Sequence, residues 1–176
     1  MPAAIATFIT LAPLASARTS AHVSLAQEAS GTLKEMKGLA TNAGYEANQM
    51  EIYSRDGAAI ADIQMTPLQL LKEEINQMQH DVASLEAERG SLALWEVQAV
   101  DRISPLLNQA AANTESALKY YNEYRHDLWT PEYRNLATSI RRETDQVART
   151  LKDYLKSEKI RVEEERLENR LNQKGD

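Results

Sequence analysis

"LEAERGSLALWE", residues 85–96, decides what this chain folds into. A hydrophobic repeat with steps of three and four residues arrives from upstream through Leu68, Leu71, Ile75, Met78, Val82 and Leu85. It continues downstream through Leu92, Ala99, Ile103, Leu106, Ala110, Asn113, Ala117, Tyr120 and Tyr124, with Arg89 and Glu96 on the seam positions between. The register never slips, so one helix of about 60 residues, about 90 Å long, satisfies the pattern. Gly90 and Ser91 argue for a turn instead. A glycine can end one helix in a left-handed cap, and a serine can cap the next. Charged residues at seam positions on both sides of Gly90 also fit an exposed connection better than a buried seam. The expectation is two helices joined by a short turn.

Two more segments carry the same spacing. Upstream, Ala26, Ala29, Leu33, Met36, Ala40, Ala43, Ala47 and Met50 keep one stripe on one helical face. The stripe is rich in alanine, so a partner helix can approach toward the short end of the usual ~8–10 Å range. "SRDG", residues 54–57, ends this helix, with Gly57 free to take the left-handed cap. "TPLQ", residues 66–69, opens the next: Thr66 caps, Pro67 suits the first helical position, and Gln69 completes a capping-box pattern. Pro105 is expected to kink the third helix, because it brings no N–H to the carbonyl four residues back. "TPEY", residues 130–133, opens a fourth, whose seam is Tyr133, Ala137, Ile140, Thr144, Val147, Leu151 and Tyr154. Four amphipathic helices on short connections predict an all-α, antiparallel four-helix bundle over residues 18–155.

Residues 156–176 differ in character. They hold six basic and six acidic side chains, with Ile160, Val162, Leu167 and Leu171 the only apolar ones. Pairs such as Glu158 with Arg161 and Glu163 with Arg166 support a solvated helix. This tail is expected to extend beyond the bundle as a charged helix.

The ends of the composition narrow the function classes. The chain has 176 residues and a net charge of −6, with basic residues spread along its length. It therefore has no electrostatic footprint for nucleic acid and no attraction for an anionic membrane surface. No cysteine occurs, which excludes disulfides, thiolate metal sites and a cysteine nucleophile. "MPAAIATFITLAPLASA", residues 1–17, carries no charged side chain and ends in Ala15-Ser16-Ala17, the small-x-small triplet of a signal-peptidase site. It reads as a secretory signal peptide, although no Lys or Arg precedes the apolar run. A retained anchor fits worse, because Pro13 interrupts a run already shorter than the ~20 residues a span needs. The expected location is periplasmic or secreted, with no stable membrane span after cleavage.

"KYYNEYRHDLWTPEYR", residues 119–134, gathers five of the ten aromatic residues. Tyr120, Tyr124 and Tyr133 fall on seam positions and are expected to plug the end of the bundle. Tyr121 and Trp129 fall off the seam, and these two are the candidates to face a protein partner.

Chemical sites fare poorly. A haem site needs His or Met at matching depth on facing helices. Met36, Met50 and Met78 point inward, where methionine ordinarily fills core gaps. His80 and His126 fall on outer faces, and His22 stands near the start of the chain. A dinuclear carboxylate site wants two Glu-x-x-His motifs, and "EYRH", residues 123–126, supplies one. No nucleophile elbow or phosphate loop is present. No catalytic, metal or cofactor site is expected. Asn113 on the seam reads as a residue that fixes helix register. The function these features point to is an exported, non-enzymatic bundle acting through protein contact, with a partner or self-association. The competing expectation is a bundle that carries a small ligand in a cavity lined by the alanine-rich first helix and its inward methionines.

Overall fold

The computed structural model describes residues 15–55 and 61–173, with side chains from residue 28 onward. Most of the expected leader, the Gly57 cap and the His22 side chain lie outside the described residues. Four α-helices follow in order: α1, Ala15–Tyr53; α2, Ala61–Ala87; α3, Leu94–Glu123; and α4, Pro131–Asn172. Each packs on two neighbours, α1 and α3 each lying between α2 and α4, while α1 and α3 barely meet across the diagonal. Cross-helix bonds show the directions. Arg141 reaches Asn48 and Arg134 reaches the Ser54 carbonyl, so α4 runs antiparallel to α1. The chain is an all-α, antiparallel four-helix bundle.

Residues 88–91 form the turn. A short 3-10 turn, Arg89–Ser91, separates α2 from α3, closed by the Ser91 N–H on the Glu88 carbonyl at 2.8 Å. Gly90 adopts no positive φ, so the expected left-handed cap is absent. Side chains do its work: Arg89 holds Glu86 on one side and Asp101, at 2.9 Å, on the other, clipping the two helices together. Ser91 does not cap α3 either. The Glu96 carboxylate accepts the Ala93 N–H at 2.8 Å, satisfying one of the open donors of the first turn.

The stripe of α1 is packed as expected, with Ala29, Leu33, Met36, Ala40, Ala43, Ala47 and Met50 all in the core. Small side chains bring α4 close. A Cβ added at Gly44 would stand 2.7 Å from Asp145 Oδ1 and 3.4 Å from Thr144 Oγ1. In α2, Leu68, Leu71, Ile75, Met78 and Leu85 are buried and Val82 is half-buried. This helix starts a turn and a half earlier than "TPLQ" predicts, and Pro67 sits buried inside it. The early turn is anchored from outside, because buried Gln64 donates from Nε2 to the Met50 carbonyl at 3.2 Å. One missing helical bond at Pro67 is thereby tolerated.

The third helix departs most from expectation. It is continuous across Pro105, the site of the expected kink, and its buried residues are Glu96, Ala99, Val100, Ile103, Leu107, Ala110, Thr114, Ala117 and Tyr121. The row Leu107, Thr114 and Tyr121 replaces the expected Leu106, Asn113 and Tyr120, which are only half-buried. The cause is geometric. A two-row seam serves one partner, whereas a bundle helix faces two and needs a buried stripe at least about 100° wide. Both rows flank the central Ile103–Ala110–Ala117 row, and the fold buries one more deeply than the other.

Beyond Glu158, α4 extends past the bundle. Every residue from Lys159 to Gln173 is exposed, and Arg161 pairs with Glu158 and Glu165 along the helix. Among the described residues, no helix is long and apolar enough to cross a membrane.

Candidate functional site

The aromatic run closes one pole of the bundle. Thr130 caps α4 by accepting the Tyr133 N–H at 3.4 Å, and Pro131 supplies the first helical position. The Tyr120 hydroxyl lies 2.7 Å from Thr130 Oγ1, which ties the end of α3 to that cap. The Tyr120 ring stands 4.8 Å from that of Tyr124 and 5.7 Å from that of Tyr133, tilted in both cases. Such arrangements favour aromatic pairs beyond simple burial. Arg134 donates to the Ser54 carbonyl at 3.1 Å and the Trp129 carbonyl at 3.2 Å, seating the hairpin on the end of α1.

Which aromatics face in is partly a correction. Tyr133 and Leu128 are core, as is Tyr121 at 1 % exposure. Tyr121 therefore presents nothing to a partner. It lies on the row of α3 that turns toward the core, and its hydroxyl accepts from Arg125 Nη2 at 3.0 Å. The Arg125 guanidinium also stands 5.2 Å from the Tyr121 ring centre, a cation–π distance. Tyr124, expected inside, is 49 % exposed, beside Trp129 at 48 %. The outer surface of the pole thus carries Tyr124, Trp129, Arg125 and His126, all exposed. Trp129 is exposed as expected, though it stands in the connection between α3 and α4 rather than on a helix.

Besides Glu96, a seam residue buried to 1 % exposure where it caps α3, three sets of buried or half-buried carboxylates lie at the helix interfaces, none of them visible in the hydrophobic pattern. Glu51 on α1 is 5 % exposed and lies between Arg55 and Arg141, the latter 3.2 Å away on α4. Glu143 on α4 accepts both from Asn113 Nδ2, at 3.1 and 3.0 Å, and lies 3.6 Å from Arg142. Asn113 thus holds α3 against α4 at one level, consistent with a register role.

The third set has no ion-pair partner among the described residues. Glu74 on α2 has one carboxylate oxygen buried without a hydrogen-bond partner. Burial, and secondarily the charge of Glu46 on α1, pushes its carboxyl up to about 7. Burial raises Glu46 as well. The consequence for stability has a definite sign. Unfolded Glu74 releases its proton near the ordinary value of 4.5, whereas folded Glu74 keeps it to about 7. The folded state therefore binds more protons in that window, and stability falls as pH rises through it. Glu74→Gln is expected to raise stability by roughly 1 kcal/mol at about pH 8, a figure reduced for solvent screening of a half-exposed carboxyl. At about pH 4 it should change little, and urea unfolding at the two pH values measures the difference.

The chemical candidates from the sequence do not converge. Met36, Met50 and Met78 are fully buried among apolar neighbours, while His80 and His126 are exposed. Glu123 and His126 of "EYRH" are both exposed. Among the described residues, no group of three His, Asp or Glu side chains is placed to hold a metal ion. Two open recesses lie between α3 and α4. One of about 390 Å³ is lined by Arg102, Pro105, Leu106, Thr150 and Tyr154. Another, about 380 Å³, lies against Leu94, Trp95, Tyr154, Glu158 and Arg161. Compared with protein-family models, with curated proteins and with solved structures, the chain finds no match in any of the three.

Proposed function

We propose that this chain is an exported, non-enzymatic helical bundle that acts by binding protein, through the Trp129 pole and the α4 extension. The observation that carries this reading is the extension. α4 has 42 residues, and its last part is solvated on every side while the apolar stripes of all four helices are directed into mutual packing. A long charged helix held away from its own core has area to offer a partner. Exposed Trp129 and Tyr124 add the aromatic, partly polar surface that interfaces favour. Export rests on the Ala15-Ser16-Ala17 triplet after an uncharged apolar run.

Chemical crosslinking in cell-envelope extracts tests the contact. The expected result is a discrete adduct that Trp129→Ala or loss of the tail weakens. A full-length protein that stays monomeric and unattached would contradict the proposal. N-terminal sequencing of the exported protein should begin at Arg18, and an intact first segment in the cytoplasm would remove export from it.

A second reading, a ligand carrier, is favoured by the recess against Trp95 and Tyr154. Native mass spectrometry that found a retained small molecule would support it, and a bare mass under gentle isolation would count against it.

A further inference from the structure

The α4 extension has an apolar row of its own. Positions that continue the core row of Val147, Leu151 and Tyr154 are Glu158, Arg161 and Glu165, all polar. Val162, 42 % exposed, follows Leu151 by about three turns and lies on the core side, but the other three apolar side chains of the extension stand opposite. Ile160 follows Leu151 by about two and a half turns, which puts it on the face opposite the core. Leu167 and Leu171 continue that row, and exposures of 49 %, 48 % and 70 % show all three uncovered.

We propose that this face pairs antiparallel with the same face of a second copy, making a two-fold dimer through the tails. The inference rests on the reading that the protein acts by protein contact, and it names the partner as the chain itself. Charge order selects the occupant and its direction. Written as a heptad, the row places Ile160 and Leu167 on one seam position and Glu164 and Leu171 on the other, with Arg161, Glu163, Glu168 and Arg170 flanking.

Antiparallel alignment sets Ile160 against Leu171 of the second copy, and Leu167 against its Glu164. Glu163 then stands beside Arg170 of the second copy, and Arg161 beside its Glu168. Two-fold symmetry repeats each match, so every flanking pair is of opposite sign. Parallel alignment reverses this. It brings Glu163 to Glu168, Lys156 to Arg161, and Glu164 to its own counterpart, all of like sign. Present partners do not prevent the exchange. Arg161 with Glu158 and Glu165, and Glu163 with Arg166 and Arg170, are exposed pairs within one helix, and such pairs hold weakly. Three apolar side chains per copy and one carboxylate on the seam limit the affinity to a dissociation constant on the order of 100 µM.

Sedimentation equilibrium of the full chain from about 10 µM to about 1 mM tests the pairing. The expected result is a monomer–dimer equilibrium that weakens at high salt. Arg161→Glu alone and Glu168→Arg alone should each weaken it by roughly 10- to 30-fold, because attraction becomes repulsion at symmetric sites. Mixing the two variants should restore dimer, since each then supplies the charges the other lacks. Unchanged circular dichroism checks that the variants fold.

A monomer throughout the range would overturn the inference. So would a dimer that Arg161→Glu leaves unchanged or strengthens, because parallel tails would gain a pair with Lys156. A protein that stays monomeric yet crosslinks to a different protein refutes the tail pairing alone and leaves the proposed function standing. A protein that does neither refutes both.

Discussion

Tyr133→Ala is expected to lower the stability of the folded chain by about 4 kcal/mol, in the range for removing a large buried aromatic. The ring is fully buried at the pole, against Tyr120 and beneath the cap that Thr130 provides. Its removal opens a cavity where α3, α4 and the end of α1 meet, and the surrounding helices can close only part of it. For a domain of this size the loss corresponds to a fall in melting temperature of about 12 °C. Tyr133→Phe should behave in the opposite way. The hydroxyl is buried with no partner, and burial pushes the phenol above its ordinary 10.0. Deleting an unsatisfied polar atom while keeping the ring is expected to be neutral or to stabilise by up to about 1 kcal/mol. Urea and thermal unfolding of the two variants side by side measure both effects. A loss under about 1 kcal/mol for the alanine variant would mean that the pole is not packed.

Arg141→Ala is the second large effect. Glu51 is almost wholly buried, and Arg141 is its cation from α4, with Arg55 one turn along its own helix. Arg141 also donates to Asn48 Oδ1 at 2.9 Å, so one side chain joins α1 to α4 twice. Its loss strands a buried carboxylate beside a single, largely exposed arginine. The expected cost is about 2–3 kcal/mol, because an uncompensated buried charge destabilises more than a made pair stabilises. Adding Glu51→Gln to Arg141→Ala should recover at least half of that loss. A double-mutant cycle by denaturant unfolding shows it as a coupling well above the few tenths expected of independent sites. Simple additivity would mean that the pair contributes little across this interface.

These interior carboxylates show where reading from sequence ended. The stripe of α1 was legible because it is long, unbroken and made of residues that bury without hydrogen-bond needs. The Thr130–Pro131 start of α4 was legible because its chemistry is local. Gly90 marked the place of the α2–α3 turn but not its means, since Arg89 closes it through Glu86 and Asp101. On α3 both flanking rows offer apolar residues, Leu106 against Leu107 and Tyr120 against Tyr121, so the pattern does not pick the buried one. Nothing local distinguishes them; the positions of α2 and α4 do. That choice moved Tyr121 into the core and Tyr124 out of it. Pro67 misplaced the start of α2 because the anchor that extends the helix, Gln64 on the Met50 carbonyl, is a contact with another helix. The surface of the pole was less legible: Tyr124 and Trp129 are both exposed, and both lie in the connection between α3 and α4, where helical periodicity does not apply.

The four-helix bundle requires the apolar stripes of α2 and α3 to face each other across the turn at residues 88–91. Asn76 on α2 and Glu115 on α3 line the same small cleft. With no cysteine in the chain, a spin label can be placed at each through Asn76→Cys and Glu115→Cys. Double electron–electron resonance then reads the distance between them. Two helices folded back at the turn give a narrow distribution below about 25 Å, allowing for the label tethers and a helix separation of ~8–10 Å. A single helix running through Gly90 would place the two positions about 58 Å apart at 1.5 Å per residue, and a peak there would contradict the bundle.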